Sequence, residues 1–99
     1  MDKKQEEAKL KSQTTFGQEA QSVVDNPAYQ FAMTAMRGEI FAKLENYDLS
    51  GDNEIILEQV RSLQSISKMQ TQLEKIIRDG DFALAHLEQD ANNHKRNQR

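Results

Sequence analysis

The run from Glu54 to Ile77, EIILEQVRSLQSISKMQTQLEKII, most constrains the fold of this chain. Its apolar residues Ile56, Val60, Leu63, Ile66, Met69, Leu73 and Ile76 recur at intervals of three or four. A helix gathers residues so spaced onto one face, and no Gly or Pro interrupts the run. The face is a narrow stripe between polar flanks, so it must be covered by another helix.

The covering helix is found upstream. Asp25-Asn26-Pro27 is a helix start: an Asn or Asp side chain accepts from the first free amides, and Pro suits a position that needs no amide. From Pro27 to about Asn46, Tyr29, Met33, Met36, Ile40, Phe41 and Leu44 give a second stripe, broadened by Ala28, Phe31, Ala32 and Ala35. Gly38 within it costs about 1 kcal/mol relative to Ala, which a close helix crossing or simple tolerance would explain. Tyr47 to Asn53 (YDLSGDN) stops one helix and caps the next through Asp52 or Asn53. A short link between two amphipathic helices predicts an antiparallel pair, so the fold class is all-α, a helical hairpin with short flanking helices. Met33, Met36, Ile40 and Leu44 are expected to face Ile56, Val60, Leu63, Ile66, Met69, Leu73 and Ile76, within the chain and between copies.

The flanking segments divide the chain into residues 1–13, 14–90 and 91–99. Met1 to Ser12 is dominated by Lys, Glu and Gln and reads as a flexible arm or a fraying helix. Thr15 and Gln18 have capping-box spacing, predicting a short helix that packs through Phe16, Val23 and Val24. Asp79-Gly80-Asp81 reads as a stop and restart, with Gly80 left-handed, before a last short helix containing Phe82, Leu84, Ala85 and Leu87; a kinked continuation of the long helix is the alternative. ANNHKRNQR then reads as a disordered basic tail.

Composition narrows the class of protein. With 99 residues, 36% of them hydrophobic and 29% charged, the chain is at most one small domain and is short of core-forming residues. Association is the natural remedy, so a homo-oligomer is expected. The absence of Cys excludes disulfides and thiolate metal sites. No apolar run approaches the roughly 18 residues of a membrane span. A formal net charge of -3 argues against a globally basic nucleic-acid-binding chain.

Little in the sequence promises chemistry. Asn46, Asp48, Ser50, Gly51 and Asp52 match early positions of an EF-hand loop, which also needs a bidentate Glu at its twelfth position. That position is Leu57, and Glu58, one residue late, is turned away by about 100° on a helix. Helix capping and turn formation account for the same residues. His86 and His94 form no ligand cluster, Ser62, Ser65 and Ser67 lack a His–acid arrangement, and no Gly-rich phosphate loop occurs. No catalytic residue, metal, cofactor or small-molecule substrate is expected. Lys and Arg alternate with Glu along the helices as on a solvated surface, leaving Lys95, Arg96 and Arg99 as the candidate DNA contacts.

NPAYQFAM, the charged amphipathic helix after it, the polar link, the long helix and IIRDGDFALAHLEQ together resemble small all-helical proteins of tailed bacteriophages. Among these, the small terminase subunit is the best-known type. The resemblance covers residues 26–87 and implies a ring-forming protein in the host cytoplasm that recognises viral DNA and regulates the large packaging ATPase. Such subunits also carry an N-terminal helix-turn-helix domain, for which Phe16–Val24 is too short. DNA contact would then fall to the tails or the ring surface. A helical adaptor binding one host or viral protein through its apolar face is the alternative.

Overall fold

A computed structural model of the chain describes residues 2–48, 51 and 53–97. The described residues form three α-helices and no strand: α1, Lys3–Asp25; α2, Pro27–Glu45; and α3, Asn53–Asn97. They belong to two compact units, one of residues 1–23 with 73–99, the other of residues 24–72. The all-helical class follows from the three-and-four spacing read above. The helix boundaries differ from that reading in three places, and each difference has a physical cause.

In the first unit α1 begins at Lys3, where sequence alone suggested an arm. The Asp2 carboxylate accepts from the Lys4 amide, the Asp2 carbonyl accepts from Glu6, and Glu6 stands in the first turn, where negative charge is favoured. Thr15 is no cap. It lies inside α1 with its hydroxyl donating to the Lys11 carbonyl, as Thr14 does to Leu10. The helix is also longer than its isolated propensity would support, because α3 lies alongside it. Leu10, Gln13, Thr14, Gly17 and Ala20 turn inward along α1, and Leu73, Ile77, Gly80, Ala83 and Leu87 do so along α3.

Gly17 and Gly80 mark the closest approach of these two helices. A Cβ placed on Gly80 would lie 2.7 Å from the Gly17 Cα and 2.9 Å from the Gln13 carbonyl oxygen; one on Gly17 would lie 2.8 Å from the Gly80 Cα. Both glycines are buried, and Ala20 and Ala83 continue the small-residue contact at 6% and 2% exposure. Gly80 is therefore not a helix stop. No described glycine has positive φ, and α3 passes through Asp79-Gly80-Asp81 without interruption. The packing of Phe16 and Val23 is likewise corrected: both are exposed, and Gly17 and Ala20 take their place inside.

α3 also continues through the basic segment read as a disordered tail. His94, Lys95 and Arg96 occupy its last turn, where positive charge opposes the partial negative charge of the free carbonyls. Only residues 98 and 99 of that segment lie outside the described residues.

The second unit packs α2 against the first part of α3. The start of α2 matches the sequence expectation. Asn26 Oδ1 accepts from Ala28 N at 2.8 Å and Tyr29 N at 3.3 Å, and Pro27 fills the first helical position. Gln30 Nε2 reaches back to the Val24 carbonyl at 3.0 Å, satisfying an acceptor just before the break. Met33 and Ile40 are buried, and Leu44, Ile56, Leu63 and Ile66 are half-buried. At the far end of α2 the Asn46 amide donates to the Ala42 carbonyl, and the Gly51 amide donates to Asp48. Leu49, Ser50 and Asp52 lie outside the described residues.

Gly38 supports no close crossing. It is exposed, and a Cβ there would meet nothing within 4 Å. Gly38→Ala is accordingly expected to stabilise the protein by about 0.5–1 kcal/mol, by reducing the freedom of the unfolded chain and improving helix propensity. Urea denaturation followed by circular dichroism measures it, and an unchanged or lower midpoint would contradict this placement.

Candidate interaction surface

The inward residues of α3 follow a stricter rhythm than the predicted stripe. In the second unit they are Ile56, Gln59, Leu63, Ile66 and Gln70; in the first, Leu73, Ile77, Gly80, Ala83 and Leu87. From Ile56 to Gly80 these fall on alternating steps of three and four, the seven-residue repeat of helices that pack along their length, and Ala83 then breaks the alternation. Gln59 is buried and Gln70 accepts a hydrogen bond from the Arg37 guanidinium. Sequence reasoning passed over both glutamines, although the repeat counted forward from Ile56 reaches Gln59 and Gln70. Hydrophobicity drew the prediction to their neighbours Val60 and Met69 instead.

The sequence-predicted interface residues consequently separate into two sets. Met33, Ile40, Leu44, Ile56, Leu63, Ile66 and Leu73 turn inward within their units. Met36, Val60, Met69 and Ile76 do not join them and remain exposed. Lys95 and Arg96 are exposed on the last turn of α3, and Arg99 lies outside the described residues.

The first unit has the better-defined surface. Phe16 and Val23 of α1, seven residues apart, stand beside the Gly17–Gly80 contact, and Ile76 of α3 lines the same groove. With Ala20 they line an open apolar groove whose remaining lining residues are Gln13, Glu19 and Asp79. The geometry has a simple origin: small residues at the contact bring the helix backbones together, and the larger side chains next in the repeat are left outside. Phe16 is 60% exposed. On α1, Phe16 and Val23 thus flank the inward residues Gly17 and Ala20 and leave an apolar strip exposed beside the contact.

In the second unit a groove is lined by Met36, Ile40 and Ile66 together with Glu39, Lys43, Glu58, Gln59, Ser62 and Ser65. Its mixed charges make it a more polar surface. Glu7 and Lys11, 3.2 Å apart, form an exposed ion pair four residues apart on α1, and His86 lies 3.4 Å from Asp90 in the same exposed spacing on α3; such contacts contribute little stability. Among the described residues, no group of three His, Asp or Glu side chains is placed to hold a metal ion, and no helix is long and apolar enough to cross a membrane.

Total burial is low. Ala20, Met33, Ile40 and Ala83 are the buried apolar residues among those described, and no large side chain is fully enclosed. The chain exposes 8083 Å². In comparisons with known proteins the chain matches no family model, and no curated protein or solved structure is significantly similar to it.

Proposed function

We propose that this chain is a non-enzymatic assembly protein that works as a homo-oligomer of helical hairpins, in the manner of a tailed-phage small terminase subunit. The observation that carries the assembly reading is the exposed apolar surface, far larger than the core it surrounds. The helix segments beginning NPAYQFAM and IIRDGDFALAHLEQ, which resemble phage packaging proteins, supply the functional context. On this reading the subunits form a ring, the large packaging ATPase is the protein partner, and DNA is held through Lys95, Arg96 and Arg99. Three cations contact phosphates weakly on one chain, but their repetition around a ring multiplies the effect.

Light scattering under native conditions tests the assembly: a mass of several subunits is the expected result. A monomer at all concentrations would end the ring model and favour the adaptor reading. DNA contact is tested on the same sample. Lys95→Ala with Arg96→Ala is expected to weaken DNA retention by about tenfold at low salt and to flatten its salt dependence. Absence of DNA binding by the unaltered protein would remove DNA from the proposal.

A further inference from the structure

We infer that the groove between α1 and α3 of the first unit receives a cationic amphipathic helix of a protein partner. The apolar residues of that helix seat on Phe16, Val23 and Ile76, and its Lys or Arg residues lie over Glu19 and Asp79. The inference goes beyond the assembly proposed above and does not depend on it. The groove has an apolar centre of Phe16, Ala20, Val23 and Ile76 between two helical ridges. An amphipathic helix laid along such a groove turns residues three, four and seven apart towards it. Phe16 and Val23 stand seven residues apart on α1, about 10 Å, which two turns of a partner helix span.

Charge decides what kind of helix fits. Each ridge contributes one carboxylate, Glu19 from α1 and Asp79 from α3, and no described Lys, Arg or His lines the groove. Neither carboxylate has an ion pair or hydrogen bond among the described residues. Asp79 is also half-buried, so its charge is partly withdrawn from water and is stabilised by an arriving cation. The same bias runs along α1: from Ser12 to Met36 the chain carries Glu19 and Asp25 and no Lys or Arg. On α3, Lys75 and Arg78 neighbour the groove residues in sequence but do not line it. A second copy docking by the same face would bring Glu19 and Asp79 of both chains together with no cation lining either groove. Facing like charges oppose that contact, and they oppose an acidic helix or a nucleic acid for the same reason.

The test titrates the full chain, at low salt, against two labelled synthetic peptides of about 15 residues, a length that can hold a helix on binding. One has Leu at every third or fourth position with Lys beside it, and the other has Glu in place of each Lys. Fluorescence anisotropy is expected to show the lysine peptide binding at least about tenfold more tightly. Glu19→Gln with Asp79→Asn is expected to weaken that binding by about tenfold. Asp81→Asn with Glu88→Gln removes the same charge at exposed residues outside the groove and is expected to leave binding unchanged. Phe16→Ser is expected to weaken binding by about fivefold, and Phe82→Ser, at a residue 70% exposed and outside the groove, to leave it unchanged. Circular dichroism checks helical content; should Phe16→Ser lose helix, the near-isosteric carboxamide variants decide the matter.

Failure of the lysine peptide to bind, equal binding of the two peptides, or equal weakening by variants inside and outside the groove would overturn the inference. So would loss of self-association in folded Phe16→Ser, measured by sedimentation velocity, which would give the face to a second copy. An oligomer that binds no lysine peptide ends this inference and leaves the assembly reading standing. A monomer that binds the peptide through Glu19 and Asp79 does the reverse.

Discussion

Gly80→Val is expected to lower stability by about 2–3 kcal/mol, with a matching fall in the urea midpoint. The space is already overfilled at the first added carbon, which would lie 2.7 Å from the Gly17 Cα and 2.9 Å from the Gln13 carbonyl oxygen. Both obstacles are backbone, so no side chain can swing aside. The helices must part, and the packing of the buried Ala20 and Ala83 on either side of the crossing loosens with them. Valine has a better helix propensity than glycine by a few tenths of a kcal/mol, which offsets little of the strain. Gly17→Ala combined with Gly80→Ala gives a sharper version: each change parts the same contact, so their effects fall short of additivity. An unchanged midpoint for Gly80→Val would show that the two backbones do not meet.

Ile40→Asp is expected to cost about 4 kcal/mol or more, a large share of the roughly 5–15 kcal/mol that holds a small domain folded. Ile40 is 8% exposed and lines one groove with Ile66 and Gln59. The substitution removes buried apolar area and places a carboxylate at a buried position of the α2–α3 seam. Amide exchange along α2 and residues 53–72 is expected to accelerate. Phe41→Asp, at the neighbouring exposed residue, is the matched comparison and is expected to stay within about 0.5 kcal/mol of the unaltered protein. Equal losses for the two would mean that Ile40 does not face α3.

What the sequence discloses of this fold depends on the range of each interaction. The Asn26–Pro27 helix start is legible because its donors and acceptors lie within three residues. The inward residues of α2 are nearly as legible, since Met33, Ile40 and Leu44 sit on one recurring face. Gly80 is misread because its local company, two aspartates, describes a helix end, whereas the cause of the glycine is Gly17, distant in the chain. Lys3 to Ser12 is misread for a related reason. Its own composition gives it little to bury, and the support for its helix comes from Leu87 and its neighbours on α3. The candidate face shows the opposite bias: Phe16 and Val23 are prominent hydrophobes, and hydrophobicity alone assigns them to the interior. Their exposure follows from the size of the residues beside them.

The glycine pair also fixes the axial alignment of α1 on α3. Sliding α1 by one seven-residue repeat would preserve its inward face but set Leu10 or Val24 where Gly17 now lies against Gly80. Neither side chain fits a space that excludes even one added carbon. Apolar packing alone tolerates such a slip, because one heptad of small and large hydrophobes resembles the next. A contact with no side chains on either partner does not. The pair thus acts as a steric key that rejects misaligned helices.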